Sequence, residues 1–123
     1  MKTALQLALI SLMLCFPAGA KDYEYDTTLL CDTQEQVERY VSLFDGDVDN
    51  AINEVNAEEH NPNACALGTV AFLRGPKLTM ARSKEKAFQI VQILIVGVST
   101  PTGVRPVRPA AFFTLFEVLE YDV

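Results

Sequence analysis

Residues 29–65 read LLCDTQEQVERYVSLFDGDVDNAINEVNAEEHNPNAC, and the fold turns on how this stretch is parsed. Leu29 and Leu30 close an apolar run at Cys31. Asp32 then offers a helix cap with Glu35 three residues later, the spacing of a capping box. Val37, Tyr40, Val41 and Phe44 follow at i, i+3, i+4 and i+7, one apolar helix face, which Gly46 is placed to end. Asp47 caps a second helix with Val48, Ala51, Ile52 and Val55 on one face, and Asn61-Pro62-Asn63 stops it. Two helices joined by a very short linker, with a cysteine at each outer end, predict a helical hairpin pinned at its base.

Upstream, Thr27-Thr28-Leu29-Leu30 has the β-branched and apolar content of a short strand, and Lys21 to Asp26 reads as a charged tail feeding it. Residues 1–20 carry a different signal. Met1 and Lys2 make a short positive start, Ala4 to Phe16 is an almost unbroken apolar run, and Ala18 and Ala20 have the spacing of a small-residue cleavage site. The apolar run is shorter than the roughly 20 residues a membrane span requires. A cleavable signal peptide over 1–20, cut after Ala20, is therefore expected, followed by a single small α+β domain over 21–123. Cys15 does not make a lipoprotein box, because Leu14 stands before it where a small residue belongs.

Downstream the period changes. Leu67 to Leu73 reads as a strand, Arg74-Gly75-Pro76-Lys77 as a turn and Leu78 to Arg82 as a short edge strand. Phe88 to Val96 is the strongest strand signal, with apolar residues in both parities, so both of its faces should be covered. Gly97 marks a bulge or bend. Ser99 to Pro109, with three prolines, reads as a long stiff loop. In the strand Ala111 to Tyr121, Phe112, Phe116 and Val118 face one way and Phe113, Leu115, Leu119 and Tyr121 the other. The expected fold is α+β: an N-terminal strand and a two-helix hairpin packed on a 3–4 stranded antiparallel meander or a small SH3-like open barrel.

Charge and cysteines narrow the function classes. Residues 21–123 carry sixteen acidic and nine basic side chains, with twelve acids and one base, Arg39, between 22 and 59. Such a chain repels a phosphate backbone over most of its surface, which argues against nucleic acid as a partner. After signal removal only Cys31 and Cys65 remain, and two cysteines in an exported chain imply a disulfide. The loop it closes is long enough that loop-closure entropy assigns it about 4 kcal/mol.

No constellation in the sequence names a reaction. Asp45, Asp47 and Asp49 alternate as at the start of an EF-hand loop, but Asn50 stands where the turn glycine belongs and Asn56 where the bidentate glutamate belongs. We read them as helix-capping groups, with calcium as the alternative. His60 is the sole histidine and sits at a helix end, without a Gly-x-Ser-x-Gly context for a hydrolase nucleophile. Glu58-Glu59 and Glu117 with Glu120 are the carboxylate pairs acid–base chemistry would use. No phosphate-cradling glycine loop or Cys/His metal set is present, so no cofactor is expected. Arg105-Pro106-Val107-Arg108-Pro109 is the candidate contact segment: prolines stiffen it, and Arg105 and Arg108 offer planar hydrogen-bonding heads.

The Leu-Leu-Cys-Asp-Thr opening at 29–33, Asn-Pro-Asn-Ala-Cys at 61–65 and Gly-Val-Arg-Pro-Val-Arg-Pro-Ala-Ala-Phe-Phe at 103–113 resemble small uncharacterised exported proteins of Gram-negative bacteria. The resemblance implies export and one domain and carries no catalytic residues. The expectation is an exported, periplasmic or secreted, non-enzymatic binding module whose partner is a protein or a small molecule. The competing classes are a small carboxylate-based hydrolase or isomerase with His60 as helper, and a calcium-stabilised structural protein.

Overall fold

Both helices form where the apolar spacing placed them. A computed structural model describes residues 23–84 and 86–119, so the expected signal peptide over 1–20 lies outside the described residues. The elements are β1 (Glu24–Cys31), α1 (Gln34–Leu43), α2 (Val48–Glu58), β2 (Cys65–Arg82), β3 (Ala87–Thr100) and β4 (Gly103–Val118). This is the expected α+β arrangement of one strand, a helical hairpin and an antiparallel meander.

The cap of α1 sits one residue later than the sequence suggested. Thr33, not Asp32, is the N-cap: its side chain accepts from the Gln36 backbone N–H at 3.2 Å. The Gln36 amide oxygen accepts in return from the N–H groups of Thr33 and Asp32, at 3.1 and 2.9 Å. The neutral amide wins over Glu35 because Gln36 is buried and its Nε2 donates to Glu59 at 3.1 Å; a second carboxylate there would face Glu59. The helix ends at Leu43 with Phe44 as C-cap, before Gly46 is reached; Gly46, at φ +111°, instead turns the linker. Asp47 caps α2 as expected, accepting from Asn50 N–H at 3.0 Å.

β1–β2, β2–β3 and β3–β4 are sequential antiparallel pairs. β1 also pairs β4 at Cys31↔Phe113, so the order β1-β2-β3-β4 returns to β1 and the barrel is closed rather than open. Two expected breaks are absent. Arg74–Lys77 is not a turn; β2 runs unbroken over eighteen residues and absorbs Gly75-Pro76 as a bulge between Arg74↔Ile93 and Lys77↔Val91. β1 stops opposite Phe72, so among the described residues Pro76 has no strand neighbour on that side and its missing N–H costs little. Gly75 is required at the bulge: a Cβ there would stand 2.5 Å from the Gln92 carbonyl oxygen. The expected loop over Ser99–Pro109 is likewise a strand: the chain turns at Pro101-Thr102, and β4 begins at Gly103. Its prolines are tolerated because three residues, Val107 to Pro109, oppose Val96 alone between Gly97↔Pro106 and Ile95↔Ala110. Gly97 marks this irregularity, as expected; a Cβ on it would meet Val104 at 2.8 Å.

Both faces of β3 are covered, which explains its two-parity apolar pattern. Phe88 and Ile90 join Leu29, Val37, Val41, Ala51, Val55 and the two cysteines beneath the helices. Val91, Ile93 and Ile95 join Val70 and Phe72 on the opposite face, which the curled sheet encloses. The β4 alternation is as read: Phe113 and Leu115 pack on the helical side, Phe112 and Phe116 on the enclosed side. Burying each such side chain contributes roughly 1.5–3 kcal/mol, so β3 is the centre of the fold. Cys31 and Cys65, direct cross-strand partners, form the expected disulfide at the base of the hairpin.

Candidate functional site

The helices cover only part of the outer sheet face. Leu94 shares a parity with Phe88 and Ile90, and its cross-strand partner Leu73 lies on the same face, yet they are 41% (Leu73) and 38% (Leu94) exposed. Ala111, opposite Leu94 on β4, is exposed as well. Tyr25, in the parity of Leu29 and Cys31, extends this face across β1, and its hydroxyl donates to the Ser99 Oγ at 2.8 Å. The result is an apolar strip running past the reach of α1 and α2.

Arg105 and Arg108 stand further along β4 from Ala111, and Arg105, opposite Val98, takes the face of Val98 rather than that of Leu94. The structure places them on β4 rather than on a free loop, Arg105 opposite Val98 and Arg108 in the irregular stretch between Pro106 and Ala110. Val107 tucks into the enclosed cluster, which fixes the backbone and leaves both arginines exposed on either side of it. Neither makes an ion pair with another described residue. β1 pairs β4 only at Cys31↔Phe113, so residues 103–112 of β4 have a described neighbour on the β3 side alone. Sequence reasoning found the arginines; it missed Leu73, Leu94 and Tyr25, whose adjacency depends on register between distant strands.

The other sequence candidates are occupied otherwise. Asp47 is the α2 cap, and the Asp45 carboxylate accepts from Asp47 N–H at 3.3 Å. Among the described residues no three His, Cys, Asp or Glu side chains converge as a metal site, Asp45, Asp47 and Asp49 included. Glu58 holds Arg39 through a two-pronged pair at 2.8 and 2.9 Å, tying α2 to α1. The hydrogen bond from Arg39 pulls the Glu58 carboxyl below its ordinary range, and the same bond raises the guanidinium. Glu59 accepts from Gln36, and Glu117 pairs with Lys86 at 3.3 Å; Glu120 lies outside the described residues. His60 is exposed at φ +54° beside Asn53, Asn56 and Asn61, with no acid, hydroxyl or thiol among the residues lining that hollow. Burial pushes the Tyr40 phenol up and keeps it neutral in the helical core.

No family model, curated protein or solved structure matches the chain. The surface itself therefore carries the functional argument.

Proposed function

We propose that this chain is an exported binding module, periplasmic or secreted, whose contact surface combines the Leu73–Leu94 strip with the Arg105 to Arg108 segment of β4. Two exposed arginines that make no ion pair with another described residue, held on the proline-stiffened strand that also carries Ala111 of the strip, carry this reading. Desolvated arginine next to apolar area is the composition of protein-contact hot spots, and acidic groups are its complement. In this reading the sheet serves as a small SH3-like barrel that holds the surface rigid and lowers the entropy cost of binding. Export is supported by the signal pattern over residues 1–20 and by the Cys31–Cys65 bridge, a bond of oxidising compartments. No helix among the described residues is long and apolar enough to cross a membrane.

Site-specific photo-crosslinking in the producing cell tests the reading. A photoreactive residue at position 94 should capture a discrete protein partner, and Arg105→Ala with Arg108→Ala should reduce the yield without changing the melting temperature. Equal capture from a control position on the α1 surface, such as 38, would refute the assignment.

A further inference from the structure

The linker between the two helices and the turn between β2 and β3 enclose a hollow of about 160 Å³. Phe44, Asp45 and Gly46 line it from the linker, and Ser83, Lys84 and Lys86 from the turn. Both walls are braced. The Phe44 ring stacks on Tyr40 at 5.7 Å and meets the Phe88 ring edge-on at 6.1 Å, which fixes an aromatic surface in place. Across from it, the Ser83 N–H donates to the Lys86 carbonyl at 2.9 Å, and the Lys86 N–H donates to the Ser83 Oγ at 3.3 Å. The Asp45 carboxylate uses one of its two oxygens for the Asp47 N–H, which orients it. Lys86 is already engaged, since its Nζ pairs with Glu117 at 3.3 Å. Asp45 and Lys84 form an ion pair neither with each other nor with another described residue. The hollow thus offers one carboxylate, one ammonium and an aromatic wall.

We propose that this hollow binds one free amino acid with an apolar side chain, as its zwitterion. The ligand's ammonium bonds the Asp45 carboxylate, its carboxylate bonds the Lys84 ammonium, and its side chain lies against Phe44. Charge selects this class. A simple anion would satisfy Lys84 but face the Asp45 carboxylate, and a simple cation would do the reverse. The end of a peptide carries only one of the two charges, whereas a free amino acid carries both on one carbon. Size points the same way: the hollow has the share of about five waters at roughly 30 Å³ each, well short of the roughly 300 Å³ at which drug-sized pockets begin. Exposed charge pairs contribute little individually, so the bracing of both walls matters, because it lowers the ordering cost of binding. The site shares no residue with the surface of Leu73, Leu94, Arg105 and Arg108 and stands or falls separately from it.

The test is an NMR titration of the full chain after signal removal with L-leucine, N-acetyl-leucine and leucinamide. Leucine should shift the amide signals of Phe44, Asp45, Gly46, Ser83, Lys84 and Lys86, and leave those of Leu94, Arg105 and Arg108 unmoved. The two capped compounds each lack one charge, as the ends of a peptide do, and should bind about threefold or more weaker. Asp45→Asn keeps an oxygen for the Asp47 N–H; it should weaken leucine about threefold or more and leave N-acetyl-leucine unchanged. Lys84→Gln should weaken leucine likewise and leave leucinamide unchanged. Three results would each overturn the proposal: no leucine-induced shifts around the hollow, a capped compound binding as well as leucine, or either substitution leaving leucine affinity unchanged.

Discussion

Cys31 and Cys65 are direct cross-strand partners, with Cα atoms 4.2 Å apart, and Cys31 is also the residue through which β1 pairs β4 at Phe113. One bond thus ties the base of the helical hairpin to the point where the barrel closes. Both sulfur-bearing residues are buried in the helical core. Cys31→Ala with Cys65→Ala should lower the unfolding free energy by about 4 kcal/mol, from loop-closure entropy. Denaturant titration of wild type and double variant under oxidising conditions measures this. A loss under about 1 kcal/mol would show that the bridge does not constrain the unfolded chain.

Asn56 supplies what the bridge alone does not. Its amide donates to the carbonyls of Pro62 and Cys65, at 2.9 and 3.0 Å, and its oxygen accepts from the Cys65 N–H at 2.8 Å. The side chain thereby satisfies both backbone groups of the residue that starts β2. Asn56→Ala leaves them without these partners, and a loss of about 1–3 kcal/mol is expected in the same titration. A neutral result would mean that water replaces the side chain at no cost.

Gly75→Ala probes the unbroken course of β2. The added methyl would stand 2.5 Å from a backbone oxygen of β3, a contact only backbone movement relieves. Destabilisation of roughly 1–3 kcal/mol is expected, and an unchanged melting temperature would favour an exposed turn at 74–77 instead.

The Arg39–Glu58 pair has a defined pH signature. The Glu58 carboxyl titrates lower in the folded chain than in the unfolded one, so its contribution is present above the unfolded value and is lost as pH falls through the folded one. Arg39 is raised and stays charged across the accessible range. Glu58→Gln should therefore melt slightly below wild type at neutral pH, and the two should converge on acidification. Melting scans from neutral to acidic pH check this; a gap that widens in acid would contradict it.

The local part of the fold was legible and the long-range part was not. The α2 cap at Asp47, the apolar faces of both helices and the inward and outward residues of β4 follow from spacing within a dozen residues. Thr33 displaced Asp32 as a cap because Gln36 is buried against Glu59, a partner twenty-three positions away. Gly75-Pro76 and Pro101 to Pro109 read as breaks because proline and glycine disfavour paired strands. Gly75-Pro76, Pro106 and Pro109 are accommodated in strands because β1 ends opposite Phe72 and pairs with β4 only at Cys31↔Phe113, facts of register invisible along the chain. The same limit hid the Arg74 guanidinium, which pairs with Glu24 and lies 3.6 Å from the centre of the Phe116 ring, bridging β1 and β4 where they do not pair. At the candidate surface the arginines were visible as residues, and the exposed pair Leu73 and Leu94 was not.

Binding of the photo-captured partner to the purified chain tests the central claim most directly. Affinity should be measured for wild type and for the Arg105→Ala, Arg108→Ala double variant at low and high salt. The account predicts binding about tenfold or more weaker in the double variant, with a shallower salt dependence and an unchanged melting temperature. Equal affinity of the two proteins at both salt concentrations would contradict it.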